Sequence, residues 1–262
     1  MEKNQIVEIL PQFNEYSGRT FNVKNIVYPN HAELYSFGKF IQSSHNDTSA
    51  AWSNDEQGVN IYQDRQNPQI GYRIYKGLML FLEDFQFIGG LSDPKMIEEL
   101  IIRQPNIKLT QFPTGIVSIN KYPIGQEIPF YDNYQTLKEF SRSIANTDGK
   151  EVMLTTAYKN ILLSLKELME NEIYYSDIHA SNFLVNCNNS NIDTKIIDFD
   201  PVFVSFGEFS DYRKKTYQSK LNYMFNENNR YAQIDYKIET FNQDNPIEDA
   251  IEKVLKMEQK IK

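Results

Sequence analysis

Between Asn22 and Asn120 the apolar residues come in short runs, among them NIVY (25 to 28), GVNIYQ (58 to 63), IGYRIY (70 to 75), LMLFL (78 to 82) and GIVSIN (115 to 120). Tyr, Ile, Val and Phe dominate them, and turn-forming stretches such as RQNPQ and FIGG separate them, a texture that predicts an antiparallel sheet. One helix interrupts the pattern. Ser92-Asp93-Pro94 offers a cap and a first-turn proline before KMIEELIIRQ, in which Met96, Leu100 and Arg103 recur at helical spacing.

From Leu137 onward longer periods take over. Residues 151 to 171 place Leu154, Tyr158, Ile161, Leu162, Leu165, Leu168 and Met169 at intervals of three, four and seven, which predicts a helix with one buried face. The stretch DNPIEDAIEKVLKM begins another, with Asp244 or Asn245 able to cap, Pro246 in the first turn, and a stripe of Ile247, Ala250, Ile251, Val254 and Leu255. Between the two textures lies KYPIG (121 to 125), a Pro/Gly-bearing tract suited to a hinge. The expected organisation is α+β: a strand-rich lobe over 1–120 with one helix, a hinge at 121–125, and a mainly helical lobe over 126–262.

Charge narrows the partners. The chain has 262 residues and 27 Lys+Arg against 35 Asp+Glu, a formal net charge of −8, the reverse of the basic excess that phosphate-backbone binding demands. Nucleic acid and anionic membrane surfaces are therefore not expected partners. No run approaches the ~18 to 20 apolar residues of a membrane span, and MEKNQIVEILPQF mixes charge and apolar residues too quickly to be a signal peptide. The lone cysteine, Cys187, makes neither an internal disulfide nor a Cys-x-x-Cys clip, which fits a reducing compartment. A cytoplasmic protein is the expectation, though a dedicated secretion apparatus can export such a chain into a host cell. NCNNSN (186 to 191) reads as a polar hairpin tip.

The chemistry concentrates in YYSDIHASNFLVN, which holds Asp177, His179 and Asn182 within six residues, followed sixteen residues after Asn182 by Asp198 in IIDFDP. A carboxylate can orient and deprotonate a hydroxyl. An amide oxygen and a second carboxylate are hard ligands suited to Mg²⁺ on a nucleotide's phosphates. His179 reads as a supporting residue that braces the loop. There is no G-x-x-x-x-G-K-[ST] loop, H-E-x-x-H, G-x-S-x-G elbow or dinucleotide glycine fingerprint, so hydrolase and dehydrogenase readings have no footing.

At these residues the chain resembles the protein-kinase-like superfamily, whose catalytic loop reads D-x-x-x-x-N and whose metal loop reads D-F-G. Asp177 matches the catalytic Asp, Asn182 the metal-binding Asn and Asp198 the metal-binding Asp. The form D-x-H-x-x-N is similar to that of aminoglycoside and choline phosphotransferases and atypical bacterial kinases. The resemblance implies a bilobal fold, ATP and Mg²⁺ as cofactors, and a first-lobe lysine on the phosphates, paired to a helix glutamate. IGYRIYK offers Lys76 or Arg73. Their separation of three puts them on opposite strand faces, so they cannot both serve. Lys76 is favoured, with Glu98 as partner, although an ordinary surface ion pair explains those two equally well. Ile119, Lys121 and Tyr122, in the 119–122 stretch, match the segment whose backbone meets adenine.

The chain departs from the family in three places. No G-x-G-x-x-G precedes the strand pair, Tyr175 stands two before Asp177 where the family has His, and Asp200 replaces the D-F-G glycine, as a further metal ligand or a turn cap. The cluster Arg213, Lys214, Lys215 and Lys220 can meet an anionic substrate but reads first as a solvated helix face. His31 and His45 read as surface residues. The implied activity is ATP- and Mg²⁺-dependent phosphoryl transfer to a protein Ser/Thr hydroxyl. The alternatives are a small-molecule hydroxyl, or a pseudokinase that serves as an interaction module.

Overall fold

In a computed structural model of the chain the described residues are 8–10, 38–43, 59–64, 67–75, 94–119, 122–188, 191–200, 203–208, 210–236, 242 and 244–261. They form an α+β architecture of small antiparallel sheets and five α-helices. Two compact units emerge, one of Met1–Pro105, Phe112–Asp132 and Asp200–Val202, the other of Asn106–Gln111, Asn133–Phe199 and Phe203–Lys262.

The first unit is built on a six-stranded sheet of β1 (Glu8–Leu10), β2 (Gly38–Ser43), β3 (Val59–Asp64), β4 (Ile70–Tyr75), β5 (Gly115–Ile119) and β6 (Tyr122–Pro129), in the order β1-β5-β6-β4-β3-β2. All its pairs are antiparallel. Between β3 and β4, Asp64 Oδ1 accepts the Asn67 amide at 2.8 Å and the Asn67 carbonyl accepts the Ile70 amide at 2.9 Å. Helix α1 (Pro94–Arg103) starts at its proline and buries Ile97 and Leu100, and Phe112 is buried between it and β5 in the chain.

Of KYPIG, Tyr122–Gly125 are the first residues of β6, which pairs with β5 over Tyr122–Glu127, and the unit continues to Asp132. A proline is tolerated there because β4 pairs only with Gly125–Pro129, so Pro123 meets one neighbour strand, and the β5–β6 register shifts beside it, between Val117 and Ser118.

The second unit is mainly helical: α2 (Leu137–Ser143), α3 (Lys150–Glu170), α4 (Asp211–Tyr231) and α5 (Pro246–Ile261). Thr136 and Glu139 cap α2 reciprocally, hydroxyl to amide and carboxylate to amide. Gly149, at φ 77°, turns the chain into α3. The stripe foreseen on α3 is the centre of the core, with Tyr158, Ile161, Leu162 and Leu165 at 0% exposure. Ile247, Ala250 and Val254 of α5 are buried as well, whereas Ile251 and Leu255 are half-buried.

Five short strands complete this unit in two sheets. β7 (Gln135–Thr136), β9 (Phe183–Asn188) and β10 (Asn191–Ile196) form one, and β8 (Ile173–Tyr175) with β11 (Val204–Phe206) the other. Asn188 pairs with Asn191 at the end of the β9–β10 pair, and residues 189 and 190 of the Asn-rich segment lie outside the described residues. Glu167 of α3 takes the amides of Lys108 and Leu109 at 2.8 Å each, which ties the 106–111 segment to the helical unit. None of the described helices is long and apolar enough to cross a membrane.

Candidate active site

Residues 173 to 182 are a short strand followed by a turn. β8 ends at Tyr175, the Ser176 amide extends its pairing to the Phe203 carbonyl at 2.7 Å, and a single 3-10 turn spans Ala180–Asn182. Asn182 closes the loop on itself. Its Nδ2 donates to Asp177 Oδ2 at 2.7 Å and to the Asp177 carbonyl at 3.1 Å, while its amide donates to the His179 carbonyl at 3.0 Å. The Asn182 carbonyl in turn accepts the Ile197 amide at 3.0 Å, which joins the loop to the turn after β10 that carries Asp198.

His179 Nε2 lies 3.4 Å from Asp177 Oδ2. Both contacts of the carboxylate thus use Oδ2, leaving Oδ1 open, among the described residues, to a hydroxyl. Burial alone would push the Asp177 carboxyl up, but the hydrogen bond and charge of His179, the Asn182 amide and the Lys220 ammonium outweigh it and hold Asp177 below the ordinary aspartate value.

Asp198 has φ 64°, a left-handed backbone that Gly, Asn and Asp adopt more readily than other residues, and its Oδ1 is buried. Tyr175, met in the sequence only as a departure, is fully buried and donates its hydroxyl to the Ile197 carbonyl at 2.9 Å, one residue before Asp198. Burial, with Asp198 and Asp177 adding their charge, pushes its phenol well above the ordinary value, so it stays a donor.

Helix α4 supplies what the sequence reading missed. Arg213, Tyr217 and Lys220 fall at i, i+4 and i+7, one face of the helix. Arg213 lies over the Tyr174 ring at 4.8 Å, the Tyr217 hydroxyl accepts the Tyr175 amide at 3.2 Å, and the Lys220 ammonium donates to the Ser176 carbonyl. The expectation of a solvated face therefore needs correcting for Arg213 and Lys220. It describes Lys215, which is exposed, and suits Lys214, whose contact is Asp211 at 3.8 Å. The separation of four and three was a signal present in the sequence.

In the sheet unit, Arg73 of β4 and Asp200 meet: Nη1 to Oδ2 is 3.3 Å, with the side chains only 10% and 11% exposed. A phosphate-side candidate and a metal-side candidate are thus paired with each other. Glu98 lies in α1, and Ile119 and Tyr122 in β5 and β6, but their side chains are outside the described residues. Lys76, Lys121, His31 and His45 lie outside them altogether.

For Mg²⁺ the donor chemistry fits. Asn182 directs its NH₂ to Asp177, so its carbonyl oxygen is the amide atom left to a cation, and Asp198 is a carboxylate one linkage away. No group of three or more His, Cys, Asp or Glu able to hold a metal occurs among the described residues. Mg²⁺ characteristically takes one or two protein oxygens and completes its shell with water and phosphate. Neither protein-family models nor curated proteins give a match to this chain.

Proposed function

We propose that the chain is a kinase-like phosphotransferase of two lobes that uses ATP and Mg²⁺ to phosphorylate a protein Ser/Thr hydroxyl. The observation that carries this reading is the clasp of Asn182 on Asp177 Oδ2 and the direct link from the Asn182 carbonyl to Ile197, which set a hydroxyl-orienting carboxylate and two oxygen ligands into one hydrogen-bonded unit. Phosphoryl transfer asks for placement and charge neutralisation more than for covalent help.

In this reading Asp177 Oδ1 accepts the acceptor's proton and aligns its oxygen, while His179 and Asn182 keep the carboxylate ionised and in place. Asn182 and Asp198 hold Mg²⁺, which when bound neutralises charge on the phosphates. Lys76 is the expected phosphate-side cation. Among acceptors, ADP release measured with Ser/Thr peptides against a panel of sugars, aminoglycosides and choline separates the protein class from the small-molecule class.

The test is thermal unfolding with and without Mg²⁺-ATP for the natural protein and Asp198→Ala. Ligand at a hundredfold over its Kd adds about 2.7 kcal/mol, a rise of roughly 5 to 10 °C for a chain of this size. A Mg²⁺-dependent rise in the natural protein that Asp198→Ala lacks is the expected result. No rise at millimolar nucleotide overturns the reading and leaves an interaction module.

A further inference from the structure

The face of α4 that meets β8 works as a comb. Its three teeth engage three successive residues: Arg213 the ring of Tyr174, Tyr217 the amide of Tyr175, and Lys220 the carbonyl of Ser176. The first two teeth are accounted for by packing. Tyr217 is fully buried and packs its ring against Tyr174 at 5.3 Å, and Arg213 donates to Ser205 Oγ at 2.8 Å and to the Glu208 and Gly207 carbonyls at 3.0 and 3.4 Å.

Lys220 is different. The strand it touches is already held by backbone bonds on its other side, where the Phe203 carbonyl takes the Ser176 amide and hydroxyl. A half-buried ammonium is a costly way to brace a carbonyl, since an apolar side chain of the same length would bury more cheaply. What an apolar side chain cannot supply is a fixed positive charge one residue from Asp177. The partners of that carboxylate, Asn182 and His179, both come from the loop itself, whereas Lys220 holds the carbonyl of the Ser176–Asp177 peptide from a separate element, helix α4.

We propose that Lys220 is a positioning residue of the phosphotransfer site, fixing the Ser176–Asp177 peptide from helix α4 so that the Asp177 carboxylate keeps its place against the acceptor hydroxyl. The proposal rests on the phosphotransferase reading for its function and on the loop geometry for its placement, and the two are tested separately.

The full chain is compared with Lys220→Met and Lys220→Arg. Hydrogen exchange reads placement without any activity. In Lys220→Met the amides of Asn182 and Ile197, protected by the His179 and Asn182 carbonyls, are expected to exchange about tenfold faster, with Lys220→Arg close to the natural protein and α3 unchanged in all three. If Lys220→Met also exposes α3, Lys220→Gln replaces it. Turnover with Mg²⁺-ATP and a Ser/Thr peptide reads function: kcat is expected to fall about 30-fold with the KM for ATP within twofold, and Lys220→Arg to recover most of it. Unchanged exchange, or a kcat within twofold of natural, overturns the proposal. Faster exchange in a chain whose natural form turns nothing over supports the placement and overturns the phosphotransferase reading instead.

Discussion

Replacing Tyr175 by Phe removes one oxygen and nothing else, at the point where the loop of Asp177 is tied to the turn of Asp198. The phenol is fully buried and its hydroxyl donates to the Ile197 carbonyl at 2.9 Å. With the hydroxyl gone its own need for a partner goes too, so the cost is that of one carbonyl losing its donor. Ile197 is half-buried, so water recovers part of the bond, which places the loss at about 1 to 2 kcal/mol. For a chain of this length each kcal/mol moves the midpoint by about 2 to 4 °C, a fall of roughly 3 to 6 °C. Urea unfolding and calorimetry measure it, with Tyr223→Phe as control, since Tyr223 is 68% exposed and its loss is expected to stay within about 0.5 kcal/mol. On the phosphotransferase proposal, because Ile197 precedes Asp198, the variant should also lose part of the rise that Mg²⁺-ATP is expected to give. A Tyr175→Phe stability indistinguishable from that of Tyr223→Phe would refute the argument that this hydroxyl ties the two segments.

Three further outcomes follow from other contacts. Arg73→Met deprives the buried Asp200 of its guanidinium and is expected to cost about 3 to 5 kcal/mol, most of it restored by adding Asp200→Leu; equal stabilities of single and double variants in urea unfolding would show that the pair does not couple. Burial would push the Asp193 carboxyl up, but bonds from Tyr134, Lys195 and the Thr194 amide hold it below its ordinary value. A depressed folded value stabilises above the unfolded value of about 3.9 and is lost as pH falls through the folded one, so Asp193→Asn should be destabilising at pH 7 and match the natural protein in urea unfolding near pH 2. Glu167→Ala releases the amides of Lys108 and Leu109, and faster hydrogen exchange at those two residues, with a loss of about 1 kcal/mol, is the expected pair of results.

Elements with a strong local signal were legible in the chain. IGYRIY is β4 to the residue, because alternating β-branched and aromatic side chains between turn formers leave few other options. The α3 stripe is the core of its unit, because apolar residues at helical spacing have one way to leave water together. Asp177 and Asn182 were readable as a pair because five residues of spacing, in one turn, suffice to bring them within 2.7 Å.

Other features needed the whole fold. α4 reads DYRKKTYQSKLNYMFNENNRY, a largely polar stretch whose meaning depends on what each face meets, so Lys220 looked solvated until β8 was packed beneath it. YPIG has the composition of a linker, yet pairing with β5 makes Tyr122–Gly125 strand, since cross-strand hydrogen bonds override local preference. The joining of Arg73 to Asp200, 127 residues apart, leaves no trace in local spacing. Local sequence determined where the strongly patterned helices and strands lie and set Asp177 beside Asn182; long-range pairing and burial decided which distant residues meet, because contact between them depends on the closure of the whole unit and not on their neighbours in the chain.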